Sequence, residues 1–221
     1  MLTRDAGPRL RAVHDAGATE PAWTDLLRLY AELQIEVAQQ ADAALELGTP
    51  DERVQTLSAT AAHLCADEEV VRRIAAAAAR LSDTLAPTIV HMEAHDGNIF
   101  VSNGRPVFID WAEAVVTHPF LGPLLPLRFA TERLGYAPGS REVERLRDEY
   151  LEPFTAFMPM PELRASFSDA YLLAPICRAH MWQEIVEPAG AARSETYGDP
   201  VGAWLEILCG LLDGAIALGG A

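Results

Sequence analysis

The feature that most limits what this chain can fold into is a change of texture at Ala86-Pro87. On the N-terminal side, apolar residues recur every three or four positions, the period of an amphipathic helix. Beyond it comes a short β-branched passage, Thr88-Ile89-Val90-His91, followed by Asn98-Ile99-Phe100-Val101, Asn103-Gly104 and Pro106-Val107-Phe108-Ile109-Asp110. Asn-Gly supplies two adjacent residues that tolerate left-handed backbone, so it closes a tight hairpin between strands. A small hairpin is therefore expected between two helical regions, which makes the chain mainly α.

The helical side is specific. Trp23 to Leu47 places Leu26, Tyr30, Leu33, Val37, Ala41 and Ala44 on one face, with Pro21 before it and Gly48-Thr49-Pro50 after it. Asp67 to Leu85 does the same with Val71, Ile74, Ala78, Leu81 and Leu85, and opens on Asp67, Glu68 and Glu69, where the helix dipole favours negative charge. After the hairpin, prolines at 119, 123, 126, 138, 153, 159 and 161 punctuate the chain, and helices are expected over Leu124–Leu134, Arg141–Phe157, Ser168–Val186 and Pro200–Leu218.

Charge narrows the chemistry. All 17 basic residues are arginine, against 32 Asp plus Glu, for a net charge of -15. Without lysine there is no Schiff-base chemistry, no GK[ST] phosphate loop and no lysine clamp on nucleotide phosphates. The acidity argues against nucleic acid as a partner and favours neutral or cationic small molecules. No segment has the apolar length of a signal peptide or a membrane span, so a cytoplasmic protein without a membrane partner is expected. Cys65, Cys177 and Cys209 are widely spaced and odd in number; they suggest small buried hydrophobes rather than a disulfide framework or zinc ribbon.

Chemistry concentrates in His91-Met92-Glu93-Ala94-His95-Asp96-Gly97-Asn98 and in Ile109-Asp110-Trp111, with Asp110 twelve residues after Asn98. Carboxylate and amide oxygens at the two ends of a hairpin can converge on a hard cation, since Mg²⁺ takes one or two carboxylates and completes its shell with phosphate and water oxygens. A carboxylate a few residues before the amide could accept a hydroxyl proton. The alternation His91, Glu93, His95 also admits a transition metal, because residues two apart face one side of a strand. It lacks the Pro-Cys-x-x-Cys partner of zinc nucleobase deaminases, and the spacing is not H-E-x-x-H.

These residues resemble the aminoglycoside phosphotransferase and choline kinase family, whose catalytic loop reads H-G-D-x-H-x-G-N and whose metal motif is I-D-W after a hairpin. His91, His95, Gly97, Asn98, Ile109, Asp110 and Trp111 fall at that spacing, and Glu113-Ala114 to His118-Pro119-Phe120 continues the likeness. The resemblance implies the C-terminal lobe of a protein-kinase-like fold over residues 1–221. Residues 1–20 would be a hinge-like segment, with Met1 to Ala12 as the hinge strand; residues 88–111 would carry the catalytic loop and metal hairpin, and 120–221 the helical substrate side. It implies transfer of the ATP γ-phosphoryl group to a small-molecule hydroxyl, with Glu93 as base, His91 and His95 as loop supports, and Asn98 and Asp110 on Mg²⁺. Acidic residues Glu184, Glu187, Glu195 and Asp199 would receive a cationic acceptor.

The sequence departs from the family pattern at three positions and in its charge. Position 93 is Glu where the family has Asp, position 92 is Met where it has Gly, and Gly122 stands where it usually has Asp. The chain starts at the apparent hinge, and the lysine of a phosphate-gripping N-terminal lobe is missing. Slow or absent transfer by the isolated chain is the expectation, with Glu93→Asp raising it. Self-association or a separate N-terminal-lobe partner is a further expectation; the alternative function is a catalytically degenerate binding or scaffold module.

Overall fold

The computed structural model describes residues 5–19, 21–186 and 198–220. The described residues form helices and two small two-stranded antiparallel sheets. Before the sheets come α1 (Leu10–Asp15), α2 (Trp23–Val37), α3 (Ala41–Glu46), α4 (Val54–Leu64) and α5 (Glu68–Leu81). After them come α6 (Leu124–Leu134), α7 (Arg141–Leu151), α8 (Met160–Val186) and α9 (Pro200–Leu212).

The helix expected over residues 23–47 is two helices joined by a 3-10 turn at Ala38–Gln40. The α2 stripe of Trp23, Leu26, Leu27, Tyr30, Ala31 and Gln34 is buried. Helix α5 starts where its sequence says, because the Asp67 carboxylate accepts from the N–H of Glu69 at 2.8 Å. It stops before Leu85 because Ser82 and Thr84 turn their hydroxyls back onto the Ala79 and Leu81 carbonyls. Helix α4 was not legible in the sequence; it is rich in Ser and Thr, and the Thr60 hydroxyl bonds back to Thr56 O.

Helix α8 starts eight residues earlier than the spacing predicts. Its Pro161 falls in the first turn, where a missing N–H costs nothing, and Pro175 is accommodated inside the helix. Residues 152–156 form a 3-10 turn rather than a continuation of α7, and α9 ends at Leu212 rather than Leu218. Among the described residues, the strand expected near the N-terminus is limited to one bridge, Arg9 to Phe100, after which residues 10–15 are helical.

Strands β1 (Thr88–Val90) and β4 (Val115–Thr117) pair with Thr88 opposite Thr117 and Val90 opposite Val115. All three residues of β4 are buried. Strands β2 (Ile99–Ser102) and β3 (Arg105–Phe108) form the expected hairpin, with φ of 51° at Asn103 and 75° at Gly104. The two strand-to-strand passages, 91–98 and 109–114, are thereby held side by side.

Beneath them lies an aromatic core in which the rings of Phe120 and Phe154 meet edge-on at 4.9 Å, flanked by Tyr150 and Phe167. Among the cysteines, Cys177 is buried as expected, Cys65 is half-buried and Cys209 is exposed. No helix among the described residues is long and apolar enough to cross a membrane.

Candidate active site

The passage between β1 and β2 is built around His91. Its Nδ1 accepts the N–H of Glu93 at 3.1 Å, which places the ring proton on Nε2, and Nε2 donates to the Ile109 carbonyl at 2.7 Å. One imidazole thus joins the segment bearing Glu93 to the segment bearing Asp110. Burial pushes the His91 pKa below its ordinary value, so the neutral tautomer that makes both bonds is the favoured one. Trp111 packs on the ring at 4.6 Å, and the Tyr30 hydroxyl donates to His91 O at 3.2 Å. With both ring nitrogens engaged, His91 is not a transition-metal ligand.

Asn98 supplies a second tie. Its Nδ2 donates to Glu93 O at 3.1 Å, and its own carbonyl accepts from Ile109 N at 3.0 Å. An amide anchored through nitrogen presents its Oδ1 as the atom available to a cation. Asp110 has a φ of 65°, a left-handed conformation uncommon outside glycine, asparagine and aspartate. Glu93, His95, Asn98 and Asp110 line one cleft of about 540 Å³, together with Glu113 and an apolar wall of Met181, Trp182 and Ile185 from α8. Burial, then the charges of Asp110 and Glu93, push the Glu113 carboxyl above its ordinary range.

His95 supports the loop. Its Nδ1 accepts from Gly97 N at 3.0 Å, its ring stacks on Phe129 at 5.2 Å, and its Nε2 lies 3.5 Å from Glu93 Oε2. A Cβ at Gly97 would stand 2.8 Å from the His95 ring, so glycine is required by contact there. Burial lowers the His95 pKa more than the neighbouring carboxylates raise it.

The structure adds residues that motif reasoning missed. Asp96 is fully buried and accepts from Arg11 at 2.7 and 2.9 Å and from Arg133 at 2.8 Å. It fastens the loop to α1 and α6. Arg178, also buried, donates to Met92 O and to Glu93 Oε1, the latter at 2.5 Å. A lone cation inside the apolar run Ala170 to Ala179 was the signal for it, because a buried guanidinium needs a buried anion. His180 has its Nδ1 2.5 Å from the buried Glu52 Oε1.

Other acidic residues pair or cap within the fold. Asp169 pairs with Arg80 at the surface, and Asp199 caps α9 by accepting from Gly202 N. Glu184 is exposed, 3.9 Å from His180; Glu187 and Glu195 lie outside the described residues.

Whether these residues suit Mg²⁺ turns on the donor set. No group of three or more His, Cys, Asp or Glu side chains among the described residues could hold a metal by itself. One amide oxygen and one carboxylate on facing loops of one cleft suit a cation that arrives with phosphate and water oxygens. The donors fit Mg²⁺ and do not fit an all-protein transition-metal cage.

The cleft thus lies between the loop bearing Glu93 and Asn98 and a carboxylate, Asp110, held just after a hairpin. The chain belongs to the phosphotransferase enzyme family, whose model, described as "APH: Phosphotransferase enzyme family", matches residues 1–121. Solved structures share the fold. The GDP and kanamycin complex of APH(2")-IIia superposes with a TM-score of 0.53 at 14% identity, over 90% of this chain and 65% of that one. The GDP complex of a point mutant of aminoglycoside 2'-phosphotransferase-IIIa gives 0.56 at 13% identity, over 95% and 68%. The chain therefore spans about two thirds of the length of these solved relatives. Among curated proteins, no relative matches it.

Proposed function

We propose that this chain carries the base and metal-binding half of a phosphotransferase that moves the γ-phosphoryl group of a nucleoside triphosphate to a hydroxyl of a small molecule. The observation that carries this reading is the His91 bridge, which holds Glu93 and Asp110 in one cleft through two ring nitrogens. Glu93 accepts the hydroxyl proton. Asn98 Oδ1 and the Asp110 carboxylate would hold Mg²⁺. When bound, that ion neutralises charge on the transferring phosphoryl group. His95 and Phe129 stiffen the loop, and the wall of Met181, Trp182 and Ile185 orients the acceptor's carbon skeleton.

The solved relatives were captured with GDP, so GTP stands beside ATP as a donor. We assign the chain to the C-terminal lobe of the kinase-like fold. The nucleotide's phosphates then need a cationic grip from a second lobe, in the same protein or a separate one, because this sequence has no lysine. The carboxylates of the cleft favour a cationic hydroxyl compound, and kanamycin, bound in one relative, is the first acceptor to try.

The test is calorimetric titration of Mg-ATP and Mg-GTP into the purified protein, with single-turnover transfer to kanamycin and to amino-alcohol acceptors. Binding at millimolar nucleotide with labelled product is expected, weak in the isolated chain and stronger with a supplied N-terminal lobe. Neither binding nor product under both conditions would overturn the reading.

A further inference from the structure

We infer that Arg178 is a positioning residue for Glu93, and that the glutamate at position 93 and the arginine at position 178 work as a matched pair. The inference rests on Glu93 being the proton acceptor proposed above. Arg178 sits in the buried part of α8, 4% exposed, with its guanidinium over the Trp204 ring of α9 at 4.3 Å. From there Nη1 donates to the carbonyl of Met92 and Nη2 donates to Oε1 of Glu93 at 2.5 Å.

A single rigid fork therefore holds both the peptide preceding Glu93 and one oxygen of its carboxylate. The other oxygen, Oε2, faces His95 Nε2 at 3.5 Å, longer than a hydrogen bond, and is the oxygen left for an acceptor hydroxyl. The placement is achieved at a cost, because Arg178 Nε is buried without a partner.

This geometry reverses an expectation drawn from sequence. Shortening Glu93 to Asp removes one C–C bond, about 1.5 Å of reach, and opens the contact with Arg178 to roughly 4 Å, beyond hydrogen-bond distance. The family's aspartate would leave a buried guanidinium unpaired here. Where Arg178 is absent, the shorter carboxylate loses nothing that the longer one had.

The test is a double-mutant cycle read in two ways. In single-turnover transfer, Arg178→Met and Glu93→Asp are each expected to lower kcat about a hundredfold, with KM for Mg-nucleotide within about twofold of the native chain. Adding Glu93→Asp to Arg178→Met should cost less than about threefold more, and Arg178→Lys should recover part of the lost rate through a single contact. Additive losses, an unchanged kcat in Arg178→Met, or a rise in nucleotide KM instead would overturn the inference.

In urea unfolding, which needs no activity, Glu93→Gln should lower the midpoint in the native background and leave it unchanged or raise it in the Arg178→Met background. Equal shifts in both would show that Arg178 does not hold Glu93. If the native chain transfers to no acceptor, the phosphotransferase reading falls, and with it any role of Arg178 in transfer. The unfolding cycle still decides separately whether the pair exists.

Discussion

Acid should unfold this protein through His118, and the size of the effect follows from its surroundings. His118 is buried; its Nδ1 accepts the N–H of Phe120 at 3.2 Å, and its Nε2 is 3.0 Å from the Thr84 hydroxyl. Burial lowers its pKa from 6.5 to about 3. The unfolded chain therefore binds a proton that the folded chain refuses, so stability falls as pH drops from 6.5 towards about 3. Each pH unit in that window removes about 1.4 kcal/mol, or about 3 kcal/mol between neutrality and roughly pH 4.5.

His91 and His95 act in the same direction, since their pKa values are also lowered. Glu52 acts in the opposite sense, because its raised pKa makes the folded state the better proton binder above its ordinary value. Comparison with His118→Asn isolates the one residue, since asparagine keeps an acceptor for Phe120 N–H and cannot titrate. Urea unfolding at a series of pH values should show the variant less stable at neutrality by about 1 kcal/mol, through loss of the Thr84 contact. The order should invert at roughly pH 5.8, where protonation in the unfolded state has taken about 1 kcal/mol from the native protein. Parallel stability curves for the two proteins would refute the reasoning.

Three other outcomes follow from the site. Asp96→Asn should lower stability by about 3 kcal/mol in chemical denaturation, because it leaves Arg11 and Arg133 facing a neutral buried amide. Gly122→Asp, which introduces the residue usual in the family, should destabilise by about 3 kcal/mol or more in the same assay: its Cβ would stand 2.6 Å from the Tyr30 hydroxyl and 2.9 Å from Gln34 Nε2, both of which hydrogen-bond to backbone. Asp110→Asn should lower Mg-dependent transfer by about a hundredfold with an unchanged melting temperature, and retention of full Mg-dependent rate would remove Asp110 from the metal-binding role.

Much of the site could be read from sequence because it is local. His91, Glu93, His95 and Asn98 lie within eight consecutive residues, and Asn103-Gly104 fixes how far away Asp110 can be. The Asn103-Gly104 hairpin and α6 came out as expected because turn chemistry and helical period agree there. Strand β4 was missed because three residues carry too little periodicity, and it exists only by pairing with β1. Arg178 and Asp96 were missed for a related reason. Their partners are 85 residues away in each case for Arg178–Glu93 and Arg11–Asp96, and no local pattern encodes which cation meets which anion.

The N-terminal segment has a consequence for edge protection. Pro8 O accepts from Val101 N at 2.9 Å, Arg9 bridges Phe100, and a Cβ at Gly7 would collide with Val101 O at 2.2 Å, so residues 7–9 lie flush along the outer side of β2. That side would otherwise be an open strand edge, a template for pairing with another chain. A protease cut or a truncation before Arg11 would bare this edge while leaving the Arg11 anchor in place. One cut after Arg11 would free the edge and remove one of the two arginines paired with the buried Asp96. Aggregation should therefore increase in two steps as the segment is shortened, with the larger step at Arg11.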